Sequence, residues 1–221
     1  MKVKSEIFQS ITTRAREERT SVDFPVSKLT DKEIRNALVA SLGRRLNAPR
    51  ATLEEVHVCN GSAIADVVAV YKTMHCYEIK GETDSISRIA KQSRFYDQAF
   101  SLISLVTTKN HLNRAIQISP KHWGIIVASE SKKSGVILRH VRGANRNPQY
   151  SPEVALLSLW RSELMQFPAA GKSNFEKMNR QKMAEAIAGS APKKLINESL
   201  GNALATRRGR LAKQDSLVPC T

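Results

Sequence analysis

The sequence predicts an α/β fold, a sheet flanked by helices, with C-terminal helices and a basic tail after it. Short apolar, β-branched runs of strand length recur at 52–59, 67–71, 74–79, 102–107, 123–128 and 136–141. Two stretches with helical spacing interleave with them, one behind Thr30 and one behind Asp84. From Pro148 onward the pattern turns to helix alone and then to basic residues.

Residues 1–29 mix Arg14, Arg16, Glu17, Glu18 and Arg19 with few apolar anchors and read as an N-terminal arm. Thr30-Asp31-Lys32-Glu33 is a capping box, in which hydroxyl and carboxylate satisfy the first free amides of a helix. Ile34, Leu38, Val39 and Leu42 follow at helical spacing, and Gly43 stops it. Thr52 to Cys59 is a first strand, with Val56 and Val58 on one face and Glu55 and His57 on the other. Asn60-Gly61-Ser62 turns the chain into Val67 to Tyr71, and Met74 to Ile79 is the next strand. Gly81 to Asp84 supplies a turn and N-cap for a helix over 85–100, with Ile86, Ile89, Ala90, Tyr96 and Phe100 as its apolar stripe. Leu102–Thr107 and Trp123–Ala128 are strands, and Val136–Val141 pairs with the latter across a turn at 129–135.

Pro148 to Pro152 marks a boundary. Val154, Leu156, Leu157, Leu159, Trp160 and Leu164 then predict one apolar helix that buries itself on the sheet. Gly171–Ser173 reads as a linker and Phe175–Ala188 as a second helix. From Ala191 the chain reads as a tail that stays disordered until it meets a polyanion, with Arg207, Arg208 and Arg210 near its end. The expected organisation is therefore arm 1–29, core 30–147, helical extension 148–190 and basic tail 191–221.

The densest chemistry lies between Ala65-Asp66 and Glu78-Ile79-Lys80. A three-residue hairpin loop, Tyr71-Lys72-Thr73, would set Asp66 opposite Glu78, with Cβ atoms about 4.5–5.5 Å apart. Lys80 then points to the same face as Glu78. Two opposed carboxylates in an apolar sheet repel unless a cation sits between them. Oxygen ligands with an ammonium alongside suit Mg2+ or Mn2+. The competing reading is a pair of strand-end charges in water, with Lys80 as their ion-pair partner. Glu33 is either a cap residue or a third acid, and Glu55 is a rival third ligand or a residue on the wet face. Gln92 lies at the margin of its helix stripe, where its amide can be solvated or reach the acids. A second E-x-K, Glu130-Ser131-Lys132, sits in a turn without an opposing acid and reads as a solvated loop.

With 35 Lys and Arg against 20 Asp and Glu, the formal net charge is +15 and the pI near 10.0. A polyanionic partner follows, and no basic amphipathic helix with aromatic anchors speaks for a membrane. Arg88 and Arg94 lie off the apolar stripe of their helix, and Arg139, Arg142 and Arg146 form a basic edge usable for phosphates. Cys59, Cys76 and Cys220 are odd in number and lack C-x-x-C spacing, which fits a reduced, cytoplasmic protein. No apolar run approaches the length of a membrane span, and no signal peptide is apparent.

Taken in order, Glu33-Ile34-Arg35, Ala65-Asp66, Glu78-Ile79-Lys80, Gln92 to Tyr96 and Trp123-Gly124-Ile125 resemble the PD-(D/E)XK nuclease superfamily, in particular a bacterial and phage-borne branch of it. The likeness covers residues 30–128, with Ala65 in place of the nominal proline. It implies a restriction-endonuclease-like mixed β-sheet flanked by helices, with the site at the sheet's edge. It further implies Mg2+ or Mn2+ held by Asp66, Glu78 and the Ile79 carbonyl. Lys80 would hold the attacking water, Gln92 would orient substrate or water, and Glu33 would be an outer or third acid. The expected function is metal-dependent hydrolysis of phosphodiesters, in DNA first, in a phage, defence or repair setting. A homo-oligomer stays open, as do a non-catalytic nucleic-acid binder on the same fold and an RNA-binding protein that works through its tail.

Overall fold

The computed structural model describes residues 28–131, 133, 135–167 and 175–215, and of 210–215 the helical backbone alone. Most of the expected arm and the Gly171–Ser173 linker lie outside the described residues. The described residues begin with helix α1 (Asp31–Gly43), followed by strands β1 (Ala51–Val58), β2 (Ala63–Val70) and β3 (Met74–Lys80). Helix α2 (Ile89–Ala99) leads to β4 (Leu102–Thr108), α3 (Leu112–Ile118), β5 (Gly124–Ser131) and β6 (Gly135–Arg142). Four more helices follow among the described residues: α4 (Pro152–Leu156), α5 (Arg161–Met165), α6 (Arg180–Ser190) and α7 (Lys193–Asp215).

The six strands form one mixed sheet in the order β1-β2-β3-β4-β5-β6. The β1–β2, β2–β3 and β5–β6 pairs are antiparallel, and β3–β4 and β4–β5 are parallel. The expected α/β architecture with a mixed sheet is what the chain adopts. Between the strands, α3 was not foreseen, a short helix between β4 and β5 with the single fully buried residue Ala115.

Both faces of the sheet are covered. On one, Ile34, Leu38 and Leu42 of α1 pack on Val67, Ala69, Tyr77, Ile79, Val106 and Ile126. On the other, Val68, Val70, Cys76, Ile103 and Leu105 meet α2 and the C-terminal helices. Alternation along β1 and β2 breaks at one point. Leu53 and Val56 join the same core although three residues apart, as do Ala65 and Val68. The cause is Glu55, whose φ of 54° lies in the left-handed region, and the ladder between Glu54↔Val67 and Val56↔Ala65 skips the Glu55–Asp66 pair.

Two expectations for the C-terminal half are corrected. Residues 154–164 do not form one helix: α4 ends at Leu156, α5 begins at Arg161, and Trp160 stands between them with its backbone extended and half its surface exposed. The expected tail folds as α7, because Ile196, Leu200 and Leu204 recur every four residues and bury against the core. Gly201 lets the helix approach closely, since a Cβ there would lie 2.8 Å from a Val70 methyl.

One buried polar cluster locks α2 to the sheet. Asp97, 3% exposed, accepts the Trp123 indole N–H at 2.7 Å and bonds His122 at 2.8 Å, and Asn147 donates to the Asp97 carbonyl at 2.5 Å. Gly81 brings β3 against the start of α1: a Cβ there would meet the Asp31 nitrogen at 2.9 Å, and the Glu82 amide donates to the Leu29 carbonyl at 3.0 Å.

Candidate functional site

The hairpin register is the one the loop length implies, with Val67↔Tyr77, Val68↔Cys76 and Val70↔Met74 flanking Tyr71-Lys72-Thr73. The ladder stops one pair short of the acids. Beyond Val67 the Asp66 carboxylate itself continues the pairing, accepting the Ile79 amide N–H at 2.7 Å. Burial and the Glu78 carboxylate, in that order, push the Asp66 carboxyl up to about 7, against the lowering pull of the Ile79 N–H and Lys80.

Glu78 is 1% exposed, with Oε1 accepting from Lys80 Nζ at 2.6 Å. Its second oxygen, Oε2, is buried without a hydrogen-bond partner, and so is Oε1 of Gln92 on α2. The nearby Tyr96 hydroxyl donates to the Ile64 carbonyl at 2.7 Å; burial and the Glu78 charge hold its pKa well above the phenol range. The structure thus brings Asp66, Glu78, Lys80 and the Ile79 backbone together at the end of β3.

Helix α1 contributes differently from expectation. The Glu33 carboxylate closes its own cap, accepting from the Thr30 amide at 2.9 Å and hydroxyl at 2.8 Å. Those bonds hold its pKa below the usual carboxylate range. The acid of α1 whose charge reaches Asp66 is Asp31. Arg35, named in the sequence only as part of Glu33-Ile34-Arg35 and given no role there, is the hub here: 2.9 Å from Asp31, 3.2 Å from Glu55, 3.9 Å from Glu54 and 3.7 Å from Asp66. Its i,i+4 spacing from Asp31 was the available signal. Glu55, the rival third ligand, is an exposed partner of Arg35.

Among the described residues no group of three or more His, Cys, Asp or Glu is arranged to hold a metal ion. The carboxylates that meet here are two, Asp66 and Glu78, with the Lys80 ammonium and the Ile79 N–H as their partners; the Gln92 amide oxygen is buried, and no hydrogen bond joins it to them. The second E-x-K is unlike this site, since Glu130 is exposed at the end of β5 and Lys132 lies outside the described residues.

The proposed phosphate-binding arginines divide. Arg142 is corrected to an internal tie, its guanidinium donating to the carbonyls of Trp123 at 2.7 Å and Pro120 at 3.0 Å. Arg207 is held by Glu163 and the Ser158 carbonyl. Arg88, Arg94, Arg139, Arg146 and Arg208 are exposed, while the side chain of Arg210 lies outside the described residues.

A family model described as bacteriophage P4 protein cII matches residues 25–215, which is most of the chain. The chain belongs to that family. The P4 cII match spans the whole sheet and the seven helices of the described residues, so α7 lies within the matched region. No curated protein matches. A solved structure of a protein of unknown function from Silicibacter pomeroyi is similar at 13% identity and a TM-score of 0.39, over 76% of this chain and 83% of that one. No helix among the described residues is long and apolar enough to cross a membrane.

Proposed function

We propose that this P4 cII family protein is a metal-dependent nuclease that hydrolyses phosphodiester bonds, in DNA first. One observation carries the reading. Glu78 is fully buried, faces Lys80 with one oxygen and leaves the other without a partner, beside an Asp66 carboxyl held at about 7. Unsatisfied buried oxygens are costly, and a hard divalent cation satisfies several at once.

The donors fit Mg2+ or Mn2+. Asp66 and Glu78 would hold the ion, and the Ile79 carbonyl would be a further ligand. When bound, the ion supplies Lewis acidity toward a phosphoryl oxygen and relieves the repulsion between the carboxylates. Lys80 acts from the chain itself. Its ammonium, fixed on Glu78 at 2.6 Å, orients the attacking water and steadies the charge that grows on the phosphate. Water oxygen bonds to phosphorus, its proton leaves to solvent, and the P–O bond to the departing strand breaks as that oxygen is protonated. Arg35 keeps Asp66, Glu54 and Glu55 in fixed relation beside the site.

The test is cleavage of plasmid, linear and single-stranded DNA in Mg2+ or Mn2+. Wild type should cut, and Lys80→Ala should lose about 10²–10³-fold in rate. Asp66→Asn should be inactive while still binding in a salt-dependent way. A second reading, a non-catalytic nucleic-acid binder, draws on the +15 charge and on the absence of a third ligating side chain among the described residues. Binding without cutting under either metal would establish that reading and remove the first.

A further inference from the structure

A groove of about 560 Å3 runs along β1, the edge strand, beneath the C-terminal helices. Trp160, Arg180, Arg207 and Arg208 line it, and residues 53–57 of β1 line it as well. Its unusual member is Trp160, 52% exposed where the other tryptophan, Trp123, is fully buried. An indole left half in water is costly unless something else uses its face.

Trp160 is also held rigidly. The Arg207 guanidinium carbon lies 4.3 Å from its ring centroid. Glu163 fixes both partners, accepting from Arg207 Nε at 2.9 Å and from the Trp160 amide at 2.7 Å, and the Ser158 carbonyl holds Arg207 at 3.0 Å. Arg180 is likewise tied down, on the Leu157 carbonyl at 3.0 Å. Arg208 is exposed and makes no hydrogen bond or ion pair among the described residues. Three arginines thus flank one preformed aromatic face. Glu54 and Glu55, also in the groove, are bridged by Arg35, which reaches Asp66 at 3.7 Å. Groove and acid pair therefore meet at one guanidinium.

Resting on the nucleic-acid reading above, we propose that this groove takes single-stranded nucleic acid. An unpaired base stacks on the face of Trp160 opposite Arg207, and the phosphates lie along Arg180 and Arg208, away from Glu54 and Glu55. A rigid aromatic face within a cationic groove is the arrangement that binds strands without reading their sequence. A paired base offers no face to such a ring, so duplex is excluded from it.

Tryptophan emission tests this directly, because Trp123 is buried and the solvent-accessible signal comes from Trp160. Metal-free protein is titrated with oligothymidylate and with duplex of equal length. Single strand should quench the emission and duplex should not. Read by the anisotropy of a labelled strand, Trp160→Ala should weaken strand binding about 5- to 150-fold with unchanged circular dichroism, while Trp160→Phe retains most of the affinity. Arg208→Ala should lower the slope of affinity against salt by about one phosphate contact. Equal quenching by duplex, or strand affinity untouched in Trp160→Ala, overturns the inference; so does quenching by an extended peptide with no response to DNA. The wild type keeps the two readings apart: quenching by a protein that cuts under neither Mg2+ nor Mn2+ removes the nuclease reading alone, and cutting with no strand site at Trp160 removes this one alone.

Discussion

The Asp66 carboxylate accepts the backbone N–H of Ile79 at 2.7 Å, at the point where the β2–β3 ladder ends. A side chain thereby does the work of a strand, and its charge is held next to Glu78. For Asp66 the carboxyl, raised to about 7, keeps its proton in the folded chain over a range where the unfolded chain has released it. Stability of the metal-free protein should therefore fall as pH rises from about 4 to about 7 and stay level above. Asp66→Asn should flatten that slope and gain as much as roughly 3–4 kcal/mol at pH 8 in urea unfolding.

His75 should tilt the same curve the other way. Burial first, then the charges of Arg45 and His140, lower its pKa to about 4, so it stays neutral in the fold where the unfolded chain takes up a proton. Its contribution is complete above about 6.5 and is lost as pH falls toward 4. His75→Gln should remove that acid-side loss, read from unfolding midpoints at pH 4.5 and 7.5.

Lys80→Met leaves the buried Glu78 without its cation and should cost about 3–5 kcal/mol in denaturant unfolding. The double variant Glu78→Gln with Lys80→Met should recover most of that loss. A double variant no more stable than Lys80→Met would mean that the pair is not the source of the strain.

Mn2+ should stabilise the wild type by about 2.7 kcal/mol at a hundredfold excess over its Kd, seen as a rise in Tm. Asp66→Asn and Glu78→Gln should show no such rise. A shift retained in both would place the ion elsewhere.

Truncation after Ser190 removes Ile196, Leu200 and Leu204 from the core and leaves the Val70–Met74 end of the sheet bare. The shortened chain should lose its cooperative melt, not merely its affinity for nucleic acid, because each lost Leu or Ile is worth about 1.5–3 kcal/mol of burial.

What could be read in the sequence was local or periodic. Tyr71-Lys72-Thr73 fixed the register because a hairpin joins neighbouring strands, and the Thr30–Glu33 box fixed the start of α1. Arg35 was given no role because its partners Glu55 and Asp66 come from two other elements. The turn at Glu55 escaped notice because nothing about a glutamate in a strand announces a left-handed φ. In α7 the spacing of Ile196, Leu200 and Leu204 was present, but Arg207, Arg208 and Arg210 drew attention to charge instead. Trp160 looked like core because it sits in an apolar run, and only the break between α4 and α5 turns it outward.

The left-handed turn at Glu55 has a bearing on how this chain behaves in a crowded solution. An unbroken eight-residue border strand would be a ready template for strands from other molecules. Here the twist divides that border into two stubs of four and three residues, each short for cross-chain pairing. The left-handed residue that interrupts β1 thereby guards the protein against edge-to-edge aggregation.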